Sequence, residues 1–187
     1  MEDKTYSKQR RAGQDGSAGT PGSNSTTGGA DNGGGTGGIG EETTMRGAYW
    51  AASKVRPNVA IAVDVTYAQD YPGTDPAESG DVKLGGGPVI CNGSMASRKV
   101  NALLKSCARE NAIPYQVESF PGRTGTDADK MHQAGEGVVT ALLSLPLRYM
   151  HSPGEVCQIS DIEHAVNLLA AFLCAVGEGT DFDPFTE

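Results

Sequence analysis

The chain has 187 residues, 23 acidic and 15 basic, and a formal net charge of −8. That length suffices for one domain of ordinary size. The acidic balance argues against nucleic acid and anionic membranes as partners, and no apolar run nears the ~20 residues that span a bilayer.

Residues 1–11 form a basic lead, and residues 12–40 hold 12 of the 26 glycines beside only four apolar residues. Such a composition buries too little surface to offset the entropy of ordering it. Residues 1–40 therefore read as a disordered basic and Gly-rich low-complexity segment, and 41–187 as the foldable unit. Two Gly-x-Gly-x-x-Gly matches, at 33–38 and 35–40, lack a preceding strand and are not read as dinucleotide sites. The charged N-terminus has no apolar leader segment, which points to a cytoplasmic protein. Cys91, Cys107, Cys157 and Cys174 form no C-x-x-C pair and are expected to be free thiols.

From Glu41 the texture changes. Residues 46–54 read as a helix ended by Pro57, and the apolar, β-branched run 59–66 as a strand buried on both faces. A Pro/Gly/Asp-rich excursion over 70–87 leads to a short apolar segment at 88–91. An amphipathic helix is expected over 99–111, a strand over 114–119, a Gly-rich loop over 121–125 and a helix over 127–133. A second apolar strand spans 138–145. Ser160, with Glu163 three residues on, reads as the capping box of a final helix reaching Val176. Alternating helices and apolar strands predict a layered α/β sheet.

Four side chains stand out within this frame. Asp64 interrupts an apolar strand, where a lone carboxylate must be paired, hydrogen-bonded or metal-bound. One reading is a strand-end Asp accepting backbone N–H bonds; the other is a ligand at the carboxyl end of a sheet strand. His151 follows the second apolar strand, and Pro153 argues against a helical metal pair with Glu155. Glu41-Glu42 precede a helix, which fits dipole complementation or a split role, one carboxylate on a metal and its neighbour a general base. His132 and His164 read as surface residues. Arg123, Thr126 and Asp127 lie in a loop of substrate-facing composition.

Together these blocks resemble one family. Glu41-Glu42-x-x-Met45-Arg46-Gly47-Ala48, AIAVDVT at 60–66, GDVKLGGGPVI at 80–90, IPYQVE at 113–118, PGRTGTDAD at 121–129 and SLPLRYMHSP at 144–153 are similar, in order and spacing, to TET-type metallo-aminopeptidases. Some members are labelled glutamyl aminopeptidases or endoglucanases. The resemblance implies a zinc-peptidase-like α/β sheet with helices on both faces, represented by its C-terminal portion and incomplete at its N-terminal side. It implies an aminopeptidase acting on short peptides with two divalent metals, zinc or cobalt. By the same resemblance Glu41 matches the general base, and Glu42, Asp64 and His151 match metal ligands. Family members carry a preceding half that supplies a further His ligand and a bridging Asp, and an inserted domain that drives homo-oligomerisation. This chain has no His before His132, Thr43-Thr44 replace the usual Val-Gly, and Tyr67 stands where the family often has His. Two function classes follow: a truncated or split aminopeptidase, or an inactive subunit that binds metal or peptide, or pairs with a missing N-terminal half. A glycosidase using Glu41 and Asp64 would leave His151 without a purpose.

Overall fold

The computed structural model describes residues 24–28, 34–37, 39–75, 77 and 80–186. In chain order the elements are β1 (Asn24–Gly28), β2 (Gly34–Gly37), α1 (Arg46–Val55), β3 (Val59–Tyr67), β4 (Val89–Gly93), α2 (Arg98–Glu110), β5 (Gln116–Phe120), α3 (Ala128–Met131), β6 (Val139–Arg148), β7 (Val156–Cys157) and α4 (Ile159–Ala175). The described strands form one mixed sheet in the order β2-β1-β3-β6-β4-β5, with β7 on β6. This is the α/β sheet that the alternating pattern predicts.

The two apolar runs lie side by side at its centre. β3 and β6 are parallel in continuous register from Val59↔Val139 to Tyr67↔Leu147. Beyond β6, β4 pairs antiparallel through Val89↔Ser144 and Ile90↔Leu143, and β5 runs parallel to β4. On the other side, β1 lies antiparallel on β3 from Asn24↔Val63 to Gly28↔Val59, and β2 pairs antiparallel with β1. One piece of the Gly-rich tract, β1, thus gives the backbone of β3 hydrogen-bonding partners that an exposed edge would lack, and a second, β2, extends the sheet beyond it. The rest of 1–40, apart from Ile39 and Gly40, lies outside the described residues, as do Gly33 and Gly38 of the Gly-rich matches.

Period-two alternation sends successive β3 side chains to opposite faces. Val59 and Ile61 join Ile90, Leu104, Leu143, Leu168 and Phe172 in a core under α2 and α4. Ala60 and Ala62 turn the other way, beside Ala48 and Ala52 of α1 and Met131 of α3. Helices therefore cover both faces. Leu168 is fully buried in the first core. Leu168→Ala is expected to cost about 2–5 kcal/mol, read as a lower urea midpoint at unchanged denaturant slope.

Several local expectations are corrected. α4 starts at Ile159 with Gln158 as its N-cap and no side-chain cap bond, so Ser160 lies inside the first turn. The physical reason is Asp161, whose buried carboxylate accepts the N–H groups of Gly85 (2.8 Å) and Gly87 (2.9 Å) and ties that turn to the preceding loop. The helix expected over 127–133 is only Ala128–Met131. His132 and His164 are half-buried rather than surface residues, and His132 Nδ1 lies 3.0 Å from the Ala128 carbonyl oxygen. All four cysteines are free, Cys91 and Cys107 in the interior.

Candidate active site

The even face of β3 turns polar as the strand ends: after Ala60 and Ala62 come Asp64 and Thr66. Asp64 Oδ1 accepts the Val65 N–H at 2.8 Å, while the buried Oδ2 has no hydrogen-bond partner. The structural reading of Asp64 as a strand-end acceptor thus accounts for one oxygen and leaves the other open. Burial pushes this carboxyl up to about 6. The Val65 N–H opposes that rise, the Glu42 charge adds to it, and the His151 imidazole works against it.

Glu41 and Glu42 sit in a tight turn ahead of α1. Gly40, at φ +70°, accepts the N–H groups of Thr43, Thr44 and Met45. Gly47 donates its N–H to the Ile39 carbonyl at 3.0 Å, and any Cβ there would meet Ile39 N at 2.3 Å, so only glycine lets the turn close on the helix. The pair lies four and five residues ahead of Arg46, and the first turn of α1 contains no acidic residue. Dipole complementation therefore does not explain the pair, since that effect is confined to the first turn. Burial, then the charges of Asp64, Glu42 and Asp127, raise the Glu41 carboxyl to about 7.

His151 lies on the loop between β6 and β7. Tyr149 (φ +62°) and His151 (φ +61°) both occupy the left-handed region, at roughly 1–2 kcal/mol each for a residue with a Cβ. The His151 N–H donates to Glu155 at 2.7 Å, and His151 Nε2 stands 3.8 Å from Glu42 Oε2. Glu41, Glu42, Asp64 and His151, separated by up to 110 positions, thus share one neighbourhood at the carboxyl end of β3.

The loop residues divide. Arg123 is exposed and lines a cavity of about 390 Å³ with Thr43, Thr44, Met45, Gly125, Asp129 and Lys130. Thr126 and Asp127 are buried. The loop is built around Asp129, which accepts N–H bonds from Thr124 and Gly125, both at 3.0 Å.

For a divalent cation the donor chemistry is apt, since carboxylate and imidazole suit zinc and cobalt, and the open Asp64 oxygen fits a ligand. The count is short. Among the described residues no three His, Cys, Asp or Glu side chains are grouped closely enough to hold a metal ion, whereas a catalytic zinc takes three protein ligands.

Two features escaped the sequence reading. Glu118 on β5 is a buried carboxylate that accepts the Thr66 hydroxyl at 2.7 Å, and burial pushes its carboxyl up against that bond. An acidic residue inside a strand, the signal that singled out Asp64, was there to find it. Asp70 and Arg148 form a two-pronged ion pair, with no local sign because 78 positions separate them.

The sequence profile of M42 glutamyl aminopeptidases matches residues 35–168. The chain belongs to this family. It is 41% identical over 137 residues to a putative aminopeptidase of Acetivibrio thermocellus, a match covering 72% of this chain and 40% of that protein. Among solved structures it is similar to aminopeptidase APDkam598 of the archaeon Desulfurococcus kamchatkensis, at TM-score 0.63 and 37% identity over 70% of this chain and 38% of the other. It is also similar to the Pyrococcus horikoshii TET1 peptidase, which assembles into a tetrahedron or a large octahedral shell, at TM-score 0.58 and 32% identity over 72% and 38%. The M42 chain thus spans about 40% of the length of the curated relative it matches.

Proposed function

We propose that this M42 chain carries part of the catalytic face of a metal-dependent aminopeptidase, in a truncated or split form, with 41–187 as the C-terminal portion of the catalytic domain. The observation that supports it best is Glu41, a carboxyl held near neutrality beside the Glu42–His151 pair and the open Asp64 oxygen. A base works best with its pKa near the working pH. As carboxylate, Glu41 takes a proton from the attacking water as the oxygen bonds to the scissile carbonyl carbon. As acid, it returns that proton to the departing amine when the C–N bond breaks. The surrounding carboxylates favour the α-ammonium of a peptide N-terminus. Glu42, Asp64 and His151 would contribute part of a ligand set that falls short in this chain alone, and the zinc or cobalt, when bound, would polarise the carbonyl. Arg123, with Thr126 and Asp127 behind it, would border the substrate. Cytoplasmic location and homo-oligomerisation complete the proposal, the latter by analogy with the TET1 relative. No described helix is long and apolar enough to cross a membrane.

A second reading is favoured by the short ligand count: a subunit that binds metal or peptide without turnover, or pairs with a separate N-terminal half. One experiment separates the two. Purified protein that hydrolyses an aminoacyl-anilide, stops with chelator and contains about two metal ions per chain supports the enzyme. Metal or peptide binding without hydrolysis supports the subunit, and absence of both rejects the metal site.

A further inference from the structure

The proposed ligand His151 sits on a loop that pays for two left-handed residues, so something must hold it there. Three residues before it, Arg148 is the last residue of β6. The Arg148 guanidinium grips Asp70 with two prongs, Nε to Oδ1 at 2.8 Å and a terminal nitrogen to Oδ2 at 2.7 Å, and also reaches the Asp70 carbonyl at 3.3 Å. Asp70 lies three residues beyond the end of β3, the strand that carries Asp64. Its Oδ2 accepts a further bond from the Leu84 N–H at 3.2 Å. Next to the fork, Tyr71 packs on Tyr149 with ring centroids 5.0 Å apart, and the Ala68 N–H donates to the Leu147 carbonyl at 2.9 Å.

An exposed, single-pronged ion pair contributes little. This pair differs. Both side chains are partly shielded, at 31% and 17% exposure, and a planar fork fixes direction as well as distance. It joins the segment just after β3, the strand that carries Asp64, to the end of β6, which leads into the His151 loop. We propose that Asp70 is a positioning residue for His151: by clamping Arg148 it sets the span between the imidazole and the carboxylates of Glu42 and Asp64. The importance of that span rests on the metal-ligand reading above; the clamp itself does not.

The test uses the full 187-residue chain and begins without metal. The His151 imidazole nitrogen signals, assigned by their loss in His151→Gln, are followed by NMR at one alkaline pH. In the parent protein Glu42→Gln shifts them, because Glu42 lies against the ring. In Asp70→Asn and in Arg148→Lys, which keeps the charge and loses the fork, that response to Glu42→Gln is expected to be largely lost. Co2+ affinity is expected to fall about 10–100-fold in each variant, and the double variant to be no worse than the weaker single one. A His151 response to Glu42→Gln that persists at parental size in both backgrounds overturns the proposal, as do additive losses. Should Asp70→Asn fail to fold, Arg148→Lys decides alone. If the parent chain binds no Co2+, the metal-ligand reading fails, and the NMR comparison still decides the clamp.

Discussion

Glu41→Gln is expected to lower aminopeptidase turnover by about 10²–10⁴-fold, the usual contribution of a positioned general base, while metal content stays at the parental level. The amide keeps the size of the side chain and loses the ability to take a proton. The pH dependence carries the same argument. With its carboxyl at about 7, Glu41 is protonated below that pH and cannot accept another proton. The parental rate should climb as pH rises through 7 and level off above it, and the residual rate of the variant should lack that limb. A Gln variant that retains both rate and limb would remove Glu41 from the mechanism. Loss of metal in the variant would instead make Glu41 a ligand.

Asp64→Asn is expected to act in opposite directions on binding and on stability. The Asp64 carboxyl stands at about 6 in the folded protein, raised from 3.8 chiefly by burial. A raised carboxyl binds its proton more tightly when folded, so its contribution to stability is complete below about pH 4 and is lost as pH rises through 6. Above that range the metal-free protein holds a buried charge, at a cost on the order of 2–3 kcal/mol. The Asn amide removes that charge, and Ser144, the register partner of Asp64 on β6, offers a hydroxyl acceptor on the same face. Urea midpoints of the metal-free variant should therefore exceed the parent's at pH 8 and converge with them near pH 4. Metal affinity should fall. A variant less stable than the parent at pH 8 would mean that the carboxylate is satisfied by the fold itself, which is incompatible with a role as ligand.

Much of the frame is legible in the chain because it depends on local pattern. The runs at 59–66 and 138–145 are too continuously apolar to be anything but central strands, and β3 and β6 are those strands. The Gly-rich tract was harder to read. Its composition gives no reason to order by itself; the piece at 24–28 pairs with the edge of β3, and the piece at 34–37 pairs in turn with 24–28. The start of α4 was misplaced because Asp161 serves the Gly85–Gly87 loop rather than its own helix, a contact across 74 positions or more.

The site divides in the same way. By itself the sequence determined which side chains to single out: a carboxylate in an apolar strand, an acidic pair ahead of a helix, a histidine two residues before a proline. Residue type and near neighbours are enough for that, since desolvation cost and backbone preference are local properties. Only the tertiary structure decided that these side chains meet, that one Asp64 oxygen is taken and the other open, and that Asp70 and Arg148 tie together the strand ends behind them. Those facts depend on how β3 and β6 register and where the chain turns back. Both follow from packing summed over the whole sheet, which no short stretch of sequence contains.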